Sequence, residues 1–316
     1  MRRVETENFF DKNWKSYLEH GTTFKFGDQQ QKEEIMDLGI QPKDTVINVG
    51  IGWGNSINLI FQSCPAVKKV IAVDSSKTML ELSKKVFSND KKAVRRLVKG
   101  IDPKTAIYLS NLNRQVRPRS KHVSFFFLPA EKVHALGVKA DKIAATMGFH
   151  WLEPPQINSF VSFNRSLRAG GRVTFSTASA FFESRLNSLS FIENPFYQAF
   201  FDEFGTLCKP TAHIQKRKLL RQKNKFTFNK IVSIIKKAGF MLENYREHII
   251  VIPKIAIKKL CLAGIKFRYD CDEKNEEIKL ISSKAIKRAE NKFVYSDYSQ
   301  QLEICPIFTI KKIRDV

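Results

Sequence analysis

The sequence predicts an α/β protein with a mostly parallel β-sheet that carries helices on both faces. Short, largely apolar β-rich runs alternate with amphipathic helical segments from residue 45 to residue 177, and a glycine-rich loop follows the first run. Parallel strands covered by helices are buried on both faces, which accounts for the apolar character of the runs. With 316 residues and 43% hydrophobic content, the chain is large enough to bury such a core.

The individual elements follow from hydrophobic periodicity and from capping residues. The predicted strands cover 45–49, 69–73, 122–128, 141–147, 171–177, 240–252 and 304–313, and the predicted helices cover 55–63, 75–87, 155–167 and 229–238. The aromatic run at 122–128 is expected to be a buried strand. The last helix is expected to begin at an N-cap-like residue, Asn229, and to end before Gly239.

The charge is strongly and unevenly basic. Lysine and arginine number 54 against 31 acidic residues, which gives +23. Residues 86–122 hold ten basic and two acidic residues, and residues 209–230 hold eight basic residues and no acidic ones. Such stretches favour RNA, an acidic protein or an anionic membrane as a partner, or they are solvated lysine-rich loops.

Several classes of protein are disfavoured by composition. No apolar run reaches the roughly 18 residues of a membrane-spanning helix, so no transmembrane segment is expected. The first residues resemble neither a secretory signal nor a transit peptide. The five cysteines form no CxxC pair, so we expect free thiols in the cytoplasm and no metal site.

The sharpest motif is Gly-x-Gly-x-Gly at Gly50, Gly52 and Gly54, between a predicted strand and a predicted helix. Glycines there let backbone N–H groups approach a ligand, and the helix N-terminus adds positive potential. Asp74 ends the next strand, where an acidic residue can accept both ribose hydroxyls of a nucleoside. The alternative is a tight strand–helix turn with Asp74 as a helix cap.

The motif resembles the first motif of class I S-adenosylmethionine-dependent methyltransferases. That resemblance implies a Rossmann-like fold with a seven-stranded sheet, helical insertions and S-adenosylmethionine as the cofactor. It assigns cofactor contacts to Asn48, Gly50, Gly52, Gly54, Asp74, Ser75, Ala130, Glu131 and Met147.

Three further segments extend the resemblance to the small-molecule branch that includes the biotin-pathway and trans-aconitate methyltransferases. They are 128–131 (Leu-Pro-Ala-Glu), 145–152 with its His-Trp pair, and the leading segment 9–17. The resemblance implies that Phe10, Trp14, Tyr17, Phe149 and Trp151 line the acceptor site, with Phe196 and Phe200 from an aromatic stripe downstream. Aromatic rings can attract a sulfonium, or these rings are ordinary core.

His150 is the candidate general base because it follows a predicted central strand, and because the ordinary pKa of histidine suits proton transfer near neutral pH. Pocket lining or simple packing are the alternatives.

Two features depart from the family pattern. The family usually has an acidic residue two positions before the first glycine, where this chain has Asn48. The compact small-molecule enzymes also lack the basic insertion at 88–120.

We expect a single domain over 1–316. It has a helical cap at 1–40, a cofactor-binding core at 41–178, a substrate or lid insertion at 179–228, and the rest of the sheet at 229–316 with a helical insertion at 254–292.

The leading function is therefore methyl transfer to a small or carrier-tethered acceptor. One alternative is an RNA methyltransferase that uses the basic stretches. The other is a catalytically degenerate binding module, which Asn48 motivates.

Overall fold

The computed structural model describes residues 11, 14–15, 18, 26–99, 101–146, 148–149, 152, 154–177, 182–183, 195–208, 226–253, 276–292 and 300–316. The chain divides into two compact units. The first comprises Met1–Ala178, Phe226–His248 and Cys305–Val316, and the second comprises Ser179–Lys225 and Ile249–Ile304. The segments expected as insertions at 179–228 and 254–292 thus fall mainly in the second unit.

Nine strands are described. They are β1 (Thr45–Val49), β2 (Lys69–Asp74), β3 (Val123–Phe127), β4 (Ala140–Ala145), β5 (Leu167–Ser176), β6 (Phe182–Glu183), β7 (Phe226–Thr227), β8 (Phe240–Pro253) and β9 (Gln300–Lys312). Seven of them form one sheet in the order β3-β2-β1-β4-β5-β9-β8. β1 to β5 pair in parallel, and β9 runs antiparallel to β5. The predicted seven-stranded, mostly parallel sheet is confirmed.

Nine α-helices are described as well. They are α1 (Phe26–Asp37), α2 (Asn55–Ser63), α3 (Lys77–Val86), α4 (Lys91–Leu97), α5 (Pro103–Val116), α6 (Ile157–Ser166), α7 (Pro195–Cys208), α8 (Phe228–Lys237) and α9 (Glu276–Lys292). Two 3₁₀ helices, Arg117–His122 and Ala130–Leu136, flank β3. No helix within the described ranges is long and apolar enough to cross a membrane.

The two faces of the sheet have different cores. On one face, the alternate strand residues Val46, Val70 and Ala144 pack in an aliphatic cluster with α1, α2, α3 and α5. An aromatic cluster joins α6, β5 and β9, and its central rings are Phe160, Phe175 and Phe308. Parallel strands buried on both faces make the β-rich runs apolar along their length.

Two local predictions were wrong. The strand at 122–128 is not buried: Phe127 is 53% exposed, because β3 is one of the two edge strands of the sheet. The cap of α8 is Thr227 rather than Asn229, since the Thr227 hydroxyl accepts from the Lys230 N–H at 3.2 Å.

The basic insertion is helical. It consists of α4, α5 and the 3₁₀ helix Arg117–His122, placed between α3 and β3. Asn113 of α5 is buried and donates to the carbonyl oxygens of Val86 at 2.6 Å and Ser88 at 3.0 Å, which holds α5 against the end of α3. The insertion is therefore packed into the first unit.

In the second unit, α7 packs against α9. Glu203 of α7 forms ion pairs with Arg288 and Lys292 of α9. Phe196, Phe200 and Phe204 recur at helical spacing on α7 and are fully buried.

Candidate active site

The glycine loop turns at the carboxyl edge of the sheet, between β1 and α2. Gly50, Gly52 and Gly54 have φ angles of 70°, 53° and 95°, a region that side chains strongly disfavour. The Gly50 N–H donates to the Val73 carbonyl at 2.8 Å, and this bond fixes the loop beside β2. Glycine adopts these angles at the least energetic cost, which accounts for the three glycines of the motif.

The glycines differ in what surrounds them. A Cβ atom added at Gly50 or Gly52 meets nothing within 4 Å, whereas one at Gly54 would lie 2.6 Å from Cε2 of the buried Phe87 ring. Gly54 is therefore required by packing against α3, while Gly50 and Gly52 border open space. We call that space the cradle.

Asp74 lies at the end of β2 and is bound to the loop. Its Oδ2 accepts from the Gly52 N–H at 3.0 Å, and its Oδ1 accepts from the Ser76 N–H at 2.8 Å. The residue is only 8% exposed. Burial raises the pKa of Asp74 to about 6, against the opposing effect of these backbone N–H groups.

Asn48 is fully buried on β1, two residues before the loop. Its Nδ2 donates to the Ser56 hydroxyl of α2 at 2.7 Å. Its Oδ1 has no hydrogen-bond partner among the described residues. A buried carbonyl oxygen without a donor is costly, so a bound donor at this position stabilises the site.

The N-terminal segment also reaches this edge. Asp11 Oδ1 accepts from the Ser76 hydroxyl at 2.6 Å and from the Thr78 N–H at 3.1 Å, at the start of α3. Trp14 packs half-buried against the aliphatic core. The contact of Asp11 with Ser76, 65 residues away, could not be predicted from the sequence, which shows only that Asp11 lies beside the aromatic residues of its segment.

The basic insertion supports the start of α2. Asn55 Nδ2 donates to Asp28 Oδ1 and Gln31 Oε1, each at 2.9 Å, and its Oδ1 accepts from the Tyr108 hydroxyl of α5 at 2.9 Å. Burial, together with the Asp28 carboxylate, raises the pKa of Tyr108. Sequence reasoning missed this network because its members lie on three separate helices.

Ala130 and Glu131 open the 3₁₀ helix that follows β3, and both are half-buried. The register pairs Asp74 with Phe127, and the Leu128 N–H donates to the Asp74 carbonyl at 3.1 Å. The predicted cofactor residues on β1, β2 and β3 thus converge on one edge of the sheet. Ser75 is half-buried beside Asp74.

The remaining candidates divide into three groups. Phe10, Tyr17, Met147, His150 and Trp151 lie outside the described residues. Phe149 is fully buried against the rings of Phe160, Phe175 and Phe226. Phe196 and Phe200 belong to the second unit, and their contact with an acceptor stays a prediction.

Comparison with solved structures gives the class of fold. A methyltransferase candidate from Bacillus halodurans has a TM-score of 0.51 at 14% identity, over 90% of this chain and 100% of that one. This chain therefore has the Rossmann-like fold of class I methyltransferases.

Two further solved structures are less similar. The YcgJ protein of Bacillus subtilis scores 0.49 at 14% identity, over 91% of this chain and 99% of that one. A geranyl diphosphate methyltransferase in complex with GPP and sinefungin scores 0.44 at 14% identity, over 90% and 78%. No protein-family model and no curated protein matches the sequence.

Proposed function

We propose that this chain is an S-adenosylmethionine-dependent methyltransferase that acts on a small or carrier-tethered acceptor. The observation that carries the proposal is the cradle, which is open above Gly50 and Gly52 and has a buried carboxylate beside it at Asp74. A simple strand–helix turn needs neither the open space nor a carboxylate whose burial raises its pKa.

The residues present fit this cofactor. The loop N–H groups and the start of α2 suit an anionic or polar end. Asp74 retains lone pairs on both oxygens for the ribose hydroxyls. The free Oδ1 of Asn48 can accept from the methionyl ammonium, although a neutral amide binds it less strongly than the usual carboxylate.

When bound, S-adenosylmethionine would supply a methyl carbon activated by its sulfonium: a nucleophile of the acceptor would bond to that carbon in line while the carbon–sulfur bond breaks and S-adenosylhomocysteine leaves as the neutral thioether. The chain itself binds and orients. Gly52 and Asp74 would hold the nucleoside end, Asn48 would orient the methionyl end, and Ala130 and Glu131 lie where the resemblance puts the adenine. Alignment of the two reactants is the main catalytic contribution in such a displacement.

The small or carrier-tethered acceptor rests on the resemblance of residues 145–152. His150 is the proposed base or pocket residue of that segment.

Calorimetry of S-adenosylmethionine and S-adenosylhomocysteine tests the cofactor. We expect micromolar binding to the wild type and at least tenfold weaker binding to Asp74→Ala. Asp90→Ala is the control, since Asp90 also accepts from a backbone N–H at a helix start but lies on the exposed α4 cap. Absence of binding to folded wild-type protein, or equal loss in both variants, contradicts the proposal.

Turnover then separates an enzyme from a binding module. Radiolabelled methyl transfer is measured with small carboxylic acids, acyl carriers and bulk RNA. If the cofactor binds but no acceptor is methylated, Asn48→Asp restores the usual acidic residue. Activity appearing only in that variant assigns the native chain to the degenerate class.

A further inference from the structure

We propose that the end of the sheet at which the parallel strands begin, opposite the cradle, is a docking surface for the phosphodiester backbone of a nucleic acid. The surface consists of Lys43, Lys68, Lys69, Arg119 and Lys121, and we call it the basic edge. It is independent of the proposed methyl transfer, because it lies where β1, β2 and β3 begin and the cradle lies where they end.

The fold brings these residues together from three loops. Lys43 precedes β1, Lys68 and Lys69 start β2, and residues 117–122 precede β3. The register pairs Thr45 with Lys69 and Val70 with Val123. Neighbouring strands lie about 4.8 Å apart, so the three strand starts span about 10 Å.

Hydrogen bonds hold the loops to one another. The Lys43 N–H donates to the Ala66 carbonyl at 2.9 Å, and the Lys68 N–H donates to the Asp44 carbonyl at 2.9 Å. Arg119 Nη1 donates to the Pro65 carbonyl at 2.6 Å. The backbone of the basic edge is thus fixed. Its four lysine side chains are exposed, whereas the Arg119 guanidinium is partly engaged by the Pro65 carbonyl.

The charge of the surface is nearly uncompensated. The four lysines are exposed, and none forms an ion pair with a carboxylate of the described residues. Two carboxylates lie at these strand starts. Asp44 Oδ2 accepts from the Gln41 N–H at 2.8 Å, and Asp141 Oδ2 accepts from the Thr45 N–H at 2.8 Å while the same carboxylate pairs with Arg168.

Lys43 provides a second observation. Within the described residues it is the one non-glycine residue with positive φ, at 70°. Glycine relaxes such a backbone, so a lysine held there points to a use for its side chain.

The geometry favours a nucleic acid over a membrane. None of the large apolar side chains exposed in the described ranges lies in these loops, whereas membrane-surface elements combine basic with apolar residues. A nucleic acid strand carries one charge per about 3.4 Å, so a 10 Å line of cations faces about three phosphates. The length of β1, about 16 Å, separates the basic edge from the cradle. The phosphates bound at the basic edge are therefore not at the cradle.

The test is fluorescence anisotropy with a labelled 20-nucleotide single-stranded RNA and its DNA equivalent, from 50 to 200 mM NaCl. We expect wild-type binding that weakens steeply with salt. The double variant Lys68→Gln/Lys69→Gln should reduce the slope of log K against log salt by about 1 per lysine, equally for different sequences. The matched control is Lys284→Gln/Lys287→Gln, two exposed lysines of α9, which should leave the slope unchanged.

Lys43→Gly distinguishes charge from folding. It relieves the positive φ, so the melting temperature should stay equal or rise while the slope falls by about 1. Lys43→Gln removes the same charge without relieving the backbone.

Three results overturn the proposal. The first is no RNA or DNA binding at 50 mM salt. The second is an equal effect of the α9 control. The third is binding to phosphatidylserine vesicles or to an acidic protein in preference to the oligonucleotides. Each can occur with cofactor binding intact, so failure here is distinguishable from failure of the methyltransferase proposal.

Discussion

At the scale of single residues, Asp74 is a buried carboxyl group whose pKa is raised. Its pKa of about 6 exceeds the ordinary 3.8, so between these values the folded chain binds a proton that the unfolded chain does not. The stability contribution of this group therefore increases as pH falls from 7 to 4, by about 3 kcal/mol in total. Denaturant unfolding of wild type and Asp74→Ala at pH 7.5 and 4.5 measures it. A difference between the two proteins that is the same at both pH values contradicts the assignment.

Cofactor affinity should change with pH in the opposite direction. In the proposed site the ionised carboxylate accepts from the ribose hydroxyls, and protonation below a pKa of about 6 turns one of its oxygens into a donor and weakens the group as an acceptor. We expect the Kd for S-adenosylhomocysteine to rise about tenfold from pH 7 to pH 5. Asp74→Ala should bind weakly at both pH values, and a parallel change in that variant would assign the effect to another group.

Alanine substitutions at three glycines distinguish a glycine required for packing from one required for cofactor binding. Gly52→Ala and Gly137→Ala both place a side chain at positive φ with nothing within 4 Å, and each should cost about 1 kcal/mol of stability. Of these two glycines, Gly52 borders the cradle and Gly137 does not, so cofactor binding should be lost in Gly52→Ala and kept in Gly137→Ala. Gly54→Ala should cost more, about 3 kcal/mol, because its Cβ collides with Phe87. Chemical denaturation and calorimetry on the three variants check this order, and equal binding by the first two would remove Gly52 from the site.

At the scale of secondary-structure elements, Asn164 joins α6 to the ends of β9 and α8. Its Nδ2 donates to the carbonyl oxygens of Ala238 at 3.0 Å and Arg314 at 2.8 Å, and its backbone carbonyl accepts from the buried Lys312 ammonium at 2.9 Å. Asn164→Ala leaves buried carbonyls unpaired and should lower the free energy of unfolding by about 3 kcal/mol. Asn111→Ala, on the exposed face of α5, should change it by less than about 0.5 kcal/mol. Similar losses of unfolding free energy in both variants would show that the hydrogen bonds of Asn164 do not stabilise the fold.

Elements whose signal is local were predictable from the sequence. The apolar runs of β1, β2, β4 and β5 gave bounds within a few residues, because central strands are buried whatever their order. The edge position of β3 was not predictable, since strand order depends on crossover connections rather than on composition. The sequence does not distinguish Thr227 from Asn229 as the N-cap of α8, because threonine and asparagine are both common N-cap residues.

The candidate site divides in the same way. The spacing of Gly50, Gly52 and Asp74 predicts their places at the loop and at a strand end, because backbone conformation and strand ends are local properties. The contact of Asp11 with Ser76 and that of Tyr108 with Asn55 span 65 and 53 residues, and no single-sequence pattern encodes such a pairing. The positive φ of Lys43 is equally hidden, because lysine is a poor marker of left-handed backbone.

At the scale of the whole molecule, the net charge of +23 is a folding liability. Like charges repel more strongly in the compact chain than in the unfolded one, so salt should stabilise the folded state by screening. We expect the melting temperature to rise by several degrees as NaCl increases from about 20 to 200 mM, where the Debye length falls from roughly 20 to 7 Å. A variant with Lys43, Lys68, Lys69 and Lys121 all changed to glutamine should melt higher at low salt and gain less from added NaCl. Scanning calorimetry of both proteins between about 20 and 200 mM NaCl measures these melting temperatures. A melting temperature that is constant or falls with salt would mean that the positive charges are already compensated within the folded chain, and the basic edge would then lose its driving force for phosphate binding.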